Sequence, residues 1–461
     1  MGRSVTLLVL SALIAGCAKP KPPEATEPEP VAPSPAPRTT ASPKRDDSQP
    51  KPWDEERVAG TVERWGGTVI RDASPAKAVT ALDLSDLKVP FGDDDYRALG
   101  RLKAITSLDV GKAKLSPAHV KEVARLASLM SLTARDANLT DASLKDLAGL
   151  TRLTALDVSL NPISDAGLKE LAPLANLATL NVSGTHVTDA GLKALAPLKK
   201  LTFVAISTEV SDDTLAALRE ANLLHALPAA TAGDGSRAAR ADEVSSLNLR
   251  FARITEKGLK DLAPLTNLTH LDLSLVPVAD AGLEHLSQFK KLNSLVLTDL
   301  NVTDGALATL RAAGALHALK AATGPKGQRP TGPGDVVGFD LRGTRATDRA
   351  VKELAGFKNL VTLNLAFTGM TDAGLKDVAG FPNLATLYLG RSMVTDAGLK
   401  ELAPLKKLAA LTLNDTAVTD DGLKELVGLP ELKTLTLSRS RVTDDGVAAL
   451  QRALPNCVIE R

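Results

Sequence analysis

Apolar and polar residues alternate in short segments that recur along most of the chain. In Leu153–Ser159 the apolar residues occupy every second position, which predicts a β-strand with one buried face. In Asp165–Ala172, Leu168 and Leu171 are three residues apart, as on one face of a short helix, and Pro173 ends that helix. One strand and a two-turn helix cannot bury their apolar faces alone, so the pattern predicts stacked copies of this unit.

The copies are marked by a motif, Thr-Asp-Ala-Gly-Leu or a close variant, that returns about every 24 residues. We interpret its acid as the cap of each helix, and we interpret Asp93-Asp94-Asp95 as a capped helix start rather than a calcium site. The motif acids form three series: Asp141, Asp165, Asp189 and Asp212; then Glu256, Asp280 and Asp304; then Asp348, Asp372, Asp396, Asp420 and Asp444.

Two longer steps of 44 residues separate the three series, from Asp212 to Glu256 and from Asp304 to Asp348. Both steps contain the sequence Leu-His-Ala-Leu, which indicates that a unit of 92 residues was duplicated. Strands placed at Leu227, Leu247, Leu319 and Phe339 divide each step into a full repeat and a shorter one without a helix. We therefore predict one solenoid over residues 79–461 with helix-less joints near 228–245 and 320–337, not three domains.

The recurring unit resembles the leucine-rich repeat, in a short bacterial form, over about Val79 to Ile459. The resemblance implies an α/β leucine-rich repeat solenoid, shaped as an arc or horseshoe, with a parallel sheet on the concave side and short helices on the convex side. Residues 53–78, with Trp53 and Trp65, are expected to form an N-terminal helical cap. Cys457 is expected to be a small core residue near the other end.

Composition narrows the class of protein. Aromatic residues make up only 3% of the 461 residues while 44% are hydrophobic, so the core must consist of small aliphatic side chains. The formal charge of +1 provides no basic surface for nucleic acid and no polybasic membrane patch. Two cysteines exclude a disulfide scaffold.

The first residues are typical of an export signal. Arg3 precedes an apolar run, Val5–Gly16, that is too short to cross a hydrocarbon core of roughly 30 Å. The segment Leu13-Ile14-Ala15-Gly16-Cys17 resembles the lipobox of bacterial lipoproteins. This resemblance implies removal of residues 1–16 and lipidation of Cys17; the alternative is an ordinary secreted protein with a chance cysteine.

Residues 17–52 follow, and Ala18–Pro52 contains 11 prolines, too polar a composition to fold alone. We predict a disordered tether that holds the solenoid at the cell envelope. By resemblance to proteobacterial lipoproteins, in which aspartate after the lipidated cysteine favours the inner membrane, Ala18 favours the outer membrane.

Known catalytic and metal-binding motifs are absent from the sequence. The six histidines include no pair at metal-ligand spacing, and there is no phosphate loop or Gly-x-Ser-x-Gly elbow. We therefore predict a protein that is not an enzyme and that has no cofactor, no metal and no nucleic-acid partner.

The outward positions of the strands indicate where a partner would bind. They form a ladder of short polar side chains with three arginines, one of which is Arg135. Aromatic and arginine side chains dominate binding energy at protein interfaces. The candidate contact residues are Phe203, Arg250, Phe251, Leu275, Arg342, Phe367, Tyr388 and Arg391. Alternatively, Phe251 and Phe367 pack internally in the turn after the strand.

The sequence thus favours an envelope-anchored, non-catalytic scaffold that binds a protein partner on the concave face. Three alternatives remain open at this point. They are an enzyme whose site is assembled across repeats, a ubiquitin-ligase-like substrate receptor by analogy to F-box leucine-rich repeat proteins, and a mechanical spacer.

Overall fold

The computed structural model describes residues 55–207 and 209–461. Contacts divide the chain into two units: the first is Met1–Pro52 and the second is Trp53–Arg461. The expected signal peptide, Cys17 and the tether lie outside the described residues, as does Trp53. Within the described ranges, every helix is too short or too polar to cross a membrane.

The second unit alternates short helices with short strands. The α-helices of the described residues are α1 Glu55–Arg64, α2 Asp93–Leu99, α3 Pro117–Ala124, α4 Asp141–Leu147, α5 Asp165–Lys169, α6 Asp212–Glu220, α7 Glu256–Asp261, α8 Asp304–Ala312, α9 Asp348–Glu353, α10 Asp372–Val378, α11 Asp396–Leu399, α12 Asp420–Glu425 and α13 Asp444–Ala453. Two repeats have 3₁₀-helices in the same place, Asp189–Leu195 and Asp280–Gln288.

The strands are equally regular. They are β1 Thr68–Arg71, β2 Val79–Asp83, β3 Ser107–Asp109, β4 Ser131–Thr133, β5 Ala155–Asp157, β6 Thr179–Asn181, β7 Phe203–Ala205, β8 Ala230–Thr231, β9 Ser246–Asn248, β10 His270–Asp272, β11 Ser294–Val296, β12 Ala322–Thr323, β13 Gly338–Asp340, β14 Thr362–Asn364, β15 Thr386–Tyr388, β16 Ala410–Thr412, β17 Thr434–Thr436 and β18 Val458–Glu460.

The strands form three sheets rather than one continuous sheet. The first contains β1–β7, the second β8–β11 and the third β12–β18. Within each sheet the strands pair in parallel, except that β1, β8 and β12 pair antiparallel with the strand that follows. A single parallel bridge between Leu295 and Leu319 continues the ladder from the second sheet toward the third.

Leucines form the core of each repeat. In β5, Leu156 is buried and pairs in register with Leu132 on one side and Leu180 on the other. Val158 and Leu168 of the same repeat are also buried, so strand and helix close over one apolar layer. The 24-residue period therefore places equivalent leucines directly above one another, and each coil completes the core of its neighbour.

The motif acids do not cap their own helices, which corrects the expectation from the sequence. The cap is the Ser or Thr before the acid: the Thr395 hydroxyl accepts the N–H of Ala397 at 3.3 Å. The carboxylate of Asp372, one repeat earlier, accepts the N–H and the hydroxyl of the same Thr395 at 2.7 and 2.6 Å. An acid with this pair of bonds thus joins its coil to the next.

This inter-repeat bond recurs along the solenoid. The pairs with both hydrogen bonds are Asp141–Ser164, Asp165–Thr188, Asp212–Thr255, Asp304–Thr347, Asp348–Thr371, Asp372–Thr395, Asp396–Thr419 and Asp420–Thr443. Where Thr443 donates, its hydroxyl and N–H hold the pKa of Asp420 below its ordinary value. The motif glycine is required because the preceding carboxylate lies against it: a Cβ on Gly398 would overlap Asp372.

At both joints an arginine side chain binds backbone carbonyl groups. We expected strands at Leu227 and Leu319, but each follows a 3₁₀ turn, Leu224–Ala226 and Leu316–Ala318. Arg237 donates to the carbonyl of Pro228, and Arg329, 92 residues later, donates to those of Lys320 and Ala322 at 3.1 and 2.7 Å. These guanidiniums satisfy carbonyl groups that a regular ladder or helix would otherwise satisfy.

The ends of the second unit also differ in detail from the expectation. Within the helical cap expected over residues 53–78, α1 ends at Arg64, and β1 follows and pairs antiparallel with β2. Trp65 packs edge-to-face on Phe91, which packs in the same way on Tyr96, so three of the twelve aromatic residues of the sequence cover the first repeat. Cys457 is buried, and burial raises the pKa of its thiol.

Candidate partner-binding surface

The strand face consists of the sheet residues that point away from the leucine core, together with the turn after each strand. Its central ladder has the register that the sequence predicted. Asp83 pairs with Asp109 in the first sheet, Asn248 with Asp272 in the second, and Asp340 with Asn364 in the third. Several of these side chains bind the backbone two residues on; for example, Asp340 Oδ1 accepts the N–H of Arg342 at 2.9 Å.

A second ladder, the turn ladder, lies four residues after each central strand leucine. Its members have a left-handed backbone, and they are Lys112, Asp136, Leu160, Gly184, Phe251, Leu275, Gly343, Phe367, Arg391, Asp415 and Arg439. This conformation aims the backbone N–H at the next coil: Phe367 donates to Gly390 at 2.9 Å and Arg391 to Asn414 at 2.8 Å. Phe and Leu are costly in this conformation, which glycine adopts freely.

Four of the eight candidate residues meet in a groove on the third sheet, which we name the third-sheet groove. It encloses about 610 Å³, and Arg342, Phe367, Tyr388 and Arg391 line it together with Asp340 and Asp415. The two guanidiniums converge on one ring: Arg342 Cζ lies 5.1 Å and Arg391 Cζ 5.0 Å from the Phe367 centroid. The parallel register of β13, β14 and β15 holds these side chains on one rigid surface.

The aromatic side chains of this surface are exposed to solvent. Phe367 is 43% and Tyr388 38% exposed, so Phe367 is not packed inside the turn. Phe251 is 56% exposed and lies under the guanidinium of Arg250, 4.8 Å from Cζ to the ring centroid. Leu275, one step further along the turn ladder, is 48% exposed. Arg250, Phe251 and Leu275 therefore form a second, smaller exposed patch.

Phe203 lies on the outward side of its strand, in register with Thr179, but it is covered. It is half-buried, and the Arg237 guanidinium from the first joint lies 4.6 Å above its ring. Because the joint loop replaces a helix, its arginine can reach the strand before it. Nothing in the sequence near Phe203 indicates this contact.

The first sheet presents a ladder of acids instead of arginine and aromatic residues. Burial raises the pKa of Asp109 to about 6, and the neighbouring carboxylates of Asp83 and Asp157 add to this, while the Gly111 N–H opposes it. Thr133 pairs with both Asp109 and Asp157, and Arg135 follows two residues later in the chain, just beyond the strand. The strand face therefore changes character along the solenoid, from acidic to arginine- and aromatic-rich.

Titratable groups do converge at one place on the strand face. Asp415 lies 3.4 Å from Arg391 and 3.6 Å from Arg439. Two guanidiniums neutralise this carboxylate, and the trio contains no hydroxyl, thiol or imidazole nucleophile. It forms an ion-pair network at the edge of the third-sheet groove and does not have the composition of an acid–base site.

Sequence reasoning missed one side-chain cluster on the helix side. Single ligand atoms of Glu256, Glu284 and His285 lie within 4.8 Å of one another, and His285 Nε2 is 3.4 Å from Glu256. Two carboxylates and an imidazole could hold a divalent cation. The sequence does contain a signal of this cluster. Glu256 replaces the usual aspartate of the motif, and Ala279 replaces the Ser or Thr that would otherwise bind the acid.

Comparisons with known proteins agree with this architecture. A family model described as Leucine Rich repeat matches residues 150–172, 174–196 and 358–379. No curated protein matches the sequence significantly.

Solved structures with similar folds come from several organisms. An internalin from Listeria monocytogenes is 19% identical, with 88% of this chain and 93% of that chain covered and a TM-score of 0.34. A leucine-rich repeat protein from Leptospira interrogans is 19% identical, with 79% and 92% covered and a TM-score of 0.31. The Arabidopsis receptor kinase HAESA, in complex with a peptide hormone and a co-receptor, is 15% identical, with 86% of each chain covered and a TM-score of 0.32.

The chain therefore contains leucine-rich repeats, and the alternation of short helices with parallel strands is the α/β solenoid that the sequence predicted. Leucine-rich repeat proteins are generally scaffolds for protein interaction.

Proposed function

We propose that this protein is a lipid-anchored scaffold of the bacterial cell envelope that binds a protein partner on its strand face and catalyses no reaction. The third-sheet groove carries the proposal. It combines two exposed aromatic rings, Phe367 and Tyr388, with two exposed guanidiniums, Arg342 and Arg391, on a rigid parallel sheet. These are the side-chain types that contribute most to binding at protein interfaces.

The energetics of the groove also support a binding role. Exposed Phe367 in a left-handed backbone costs the fold free energy, while Gly343 occupies the same place in the preceding repeat without that cost. A bulky ring that the fold tolerates at a cost, and that solvent can reach, is better explained by contact with a partner than by packing.

The proposed anchor is Cys17. The apolar run before it and the lipobox-like segment around it support processing and lipidation, and residues 17–52 would serve as the tether. Two or more acyl chains hold a protein stably on a membrane, whereas a single chain binds marginally. The alanine that follows Cys17 favours the outer membrane.

The anchor is tested by fractionation and mass spectrometry. The mature protein should begin at Cys17, carry acyl groups and sediment with membranes, while Cys17→Ser should leave the lipid off. A wild-type protein without acyl groups would refute the anchor.

The binding surface is tested by affinity capture with two double variants. Phe367→Gly with Tyr388→Ser should remove the partner, whereas Lys424→Ser with Val427→Ser, two exposed residues on the helix side, should retain it. Both variants must first show the wild-type circular dichroism spectrum. Retention of the partner by the groove variant would refute the proposed surface.

A further inference from the structure

The third-sheet groove contains positive charge that the described part of the chain leaves uncompensated. Arg342 is exposed and has no ion-pair partner among the described residues, whereas Arg391 shares Asp415 with Arg439. Asp340 is the remaining carboxylate of the groove, and one of its oxygens already accepts the N–H of Arg342. Counting Arg439, three guanidiniums thus face two carboxylates.

The two arginines of the groove are also close to each other. Because each Cζ lies about 5 Å from the Phe367 centroid, the two cations are separated by no more than about 10 Å. Like charges at this distance repel, and the Phe367 ring offsets only part of that cost. An anionic group placed between them would relieve the repulsion.

The geometry favours a planar anion. Each guanidinium lies near the Phe367 ring, which orients it and leaves N–H groups free to donate at its edge. A guanidinium binds a carboxylate with two parallel hydrogen bonds, stronger than neutral ones. Tyr388 is next to Asn364 in the register, so it presents an aromatic surface beside the two cations.

We propose that the third-sheet groove recognises an acidic segment of a protein partner. An aspartate or glutamate carboxylate binds between Arg342 and Arg391 above Phe367, and a neighbouring side chain of the segment packs on Tyr388. This proposal rests on the proposed function, since it names the chemistry of the partner at the same surface. It also makes the groove different from the acidic strand face of the first sheet, which would repel the same segment.

The test uses the full chain and capped synthetic peptides of 12 residues in a Ser/Gly/Tyr background. Three peptides differ only at three central positions, which are Glu, Gln or Lys. Titration calorimetry should detect binding of the Glu peptide alone, and raising the salt concentration should weaken it. Failure of the Glu peptide to bind, or equal binding of the Gln or Lys peptide, would overturn the proposal.

Variants locate the binding on the protein. Arg342→Gln and Arg391→Gln should each raise the Kd of the Glu peptide about tenfold or more, since each removes a charge-assisted contact. Arg342→Lys should restore part of the affinity. Arg135→Gln is the matched control: Arg135 is exposed at the same position of its repeat as Arg342 but belongs to the first sheet, outside the groove, so its loss should change nothing. Equal weakening by the Arg135 variant would overturn the proposal.

The outcome separates this inference from the proposed function. One outcome is that the Arg342→Gln, Arg391→Gln double variant still captures the cellular partner while the Phe367→Gly, Tyr388→Ser variant does not. The strand face then binds a partner without recognising its acidic groups. If both capture the partner, the proposed function itself fails. Binding of inorganic phosphate with the same affinity as the Glu peptide would also contradict recognition of a protein segment.

Discussion

Replacing the motif glycine Gly398 by alanine should destabilise the solenoid, although alanine is the better helix former. The new Cβ would overlap Asp372 Oδ1 and lie 3.0 Å from its Cα and Cγ, so the carboxylate must move. Its two bonds to Thr395, at 2.7 and 2.6 Å, would then be lost. Hydrogen bonds to a charged group contribute about 1.5–3 kcal/mol each, and Asp372 is half-buried, so we take about 3 kcal/mol for both.

Alanine returns about 1 kcal/mol through its helix propensity, which leaves a net loss of about 2 kcal/mol. Gly60, inside α1, is the matched control, because a Cβ there would have no neighbour within 4 Å. Gly60→Ala should therefore raise the free energy of unfolding by about 0.5–1 kcal/mol.

The assay is urea denaturation followed by circular dichroism at 222 nm. Asp372→Ala alone should cost about the same as the loss of both bonds. Adding Gly398→Ala to it should cost less than Gly398→Ala costs in the wild type, because the overlap with Oδ1 no longer exists and only the 3.0 Å approach to the Cα of residue 372 remains. If Gly398→Ala stabilises the protein as Gly60→Ala does, the inter-repeat role of Asp372 is refuted.

Three further changes have defined outcomes. Asp109→Asn should stabilise the fold by about 1–3 kcal/mol at pH 7 and by almost nothing near pH 4. The pKa of Asp109 in the folded protein, about 6, exceeds its ordinary value of 3.8. The charged carboxylate therefore destabilises the folded state only as pH rises from about 4 to above 6. Chemical denaturation across pH tests this, and a benefit that is independent of pH would contradict it. Arg329→Met should lower the free energy of unfolding by at least about 3 kcal/mol in the same assay, because buried carbonyl groups lose their hydrogen-bond donor. The control Arg345→Met, at an exposed arginine, should lower it by less than about 0.5 kcal/mol. Equal effects would contradict the role of Arg329 in the joint. Phe367→Gly should change the free energy of unfolding by less than about 1 kcal/mol, because glycine adopts the left-handed backbone without strain and this offsets the lost contacts. The same variant should abolish partner binding. A loss of stability as large as that for a core leucine would contradict this prediction.

The sequence was sufficient for the repeat and its register. The 24-residue period fixes which residues stack, and Asp83, Asp109 and Asp157 therefore occur on one face as predicted. The exposure of Phe251 and Phe367 was left open, because it depends on the left-handed turn after the strand.

The role of the motif acid could not be predicted from the sequence. Asp372 stands at the first helical position, where its carboxylate could bind its own helix or the next coil, and only the stacking distance decides between them. At the joints, Arg237 and Arg329 replace regular structure through contacts with carbonyls that are close in space, and no periodic pattern encodes them. The contact between Arg237 and Phe203 was not predictable for the same reason.

Site-specific photocrosslinking in intact cells tests most directly whether the strand face of the third sheet holds a partner. A photoreactive residue at Tyr388 should capture one protein species, while the same residue at Val427, which is 48% exposed on the helix side, should capture none. The Arg342→Gln, Arg391→Gln background should suppress the product at Tyr388. Capture at Val427 and not at Tyr388 would contradict the account.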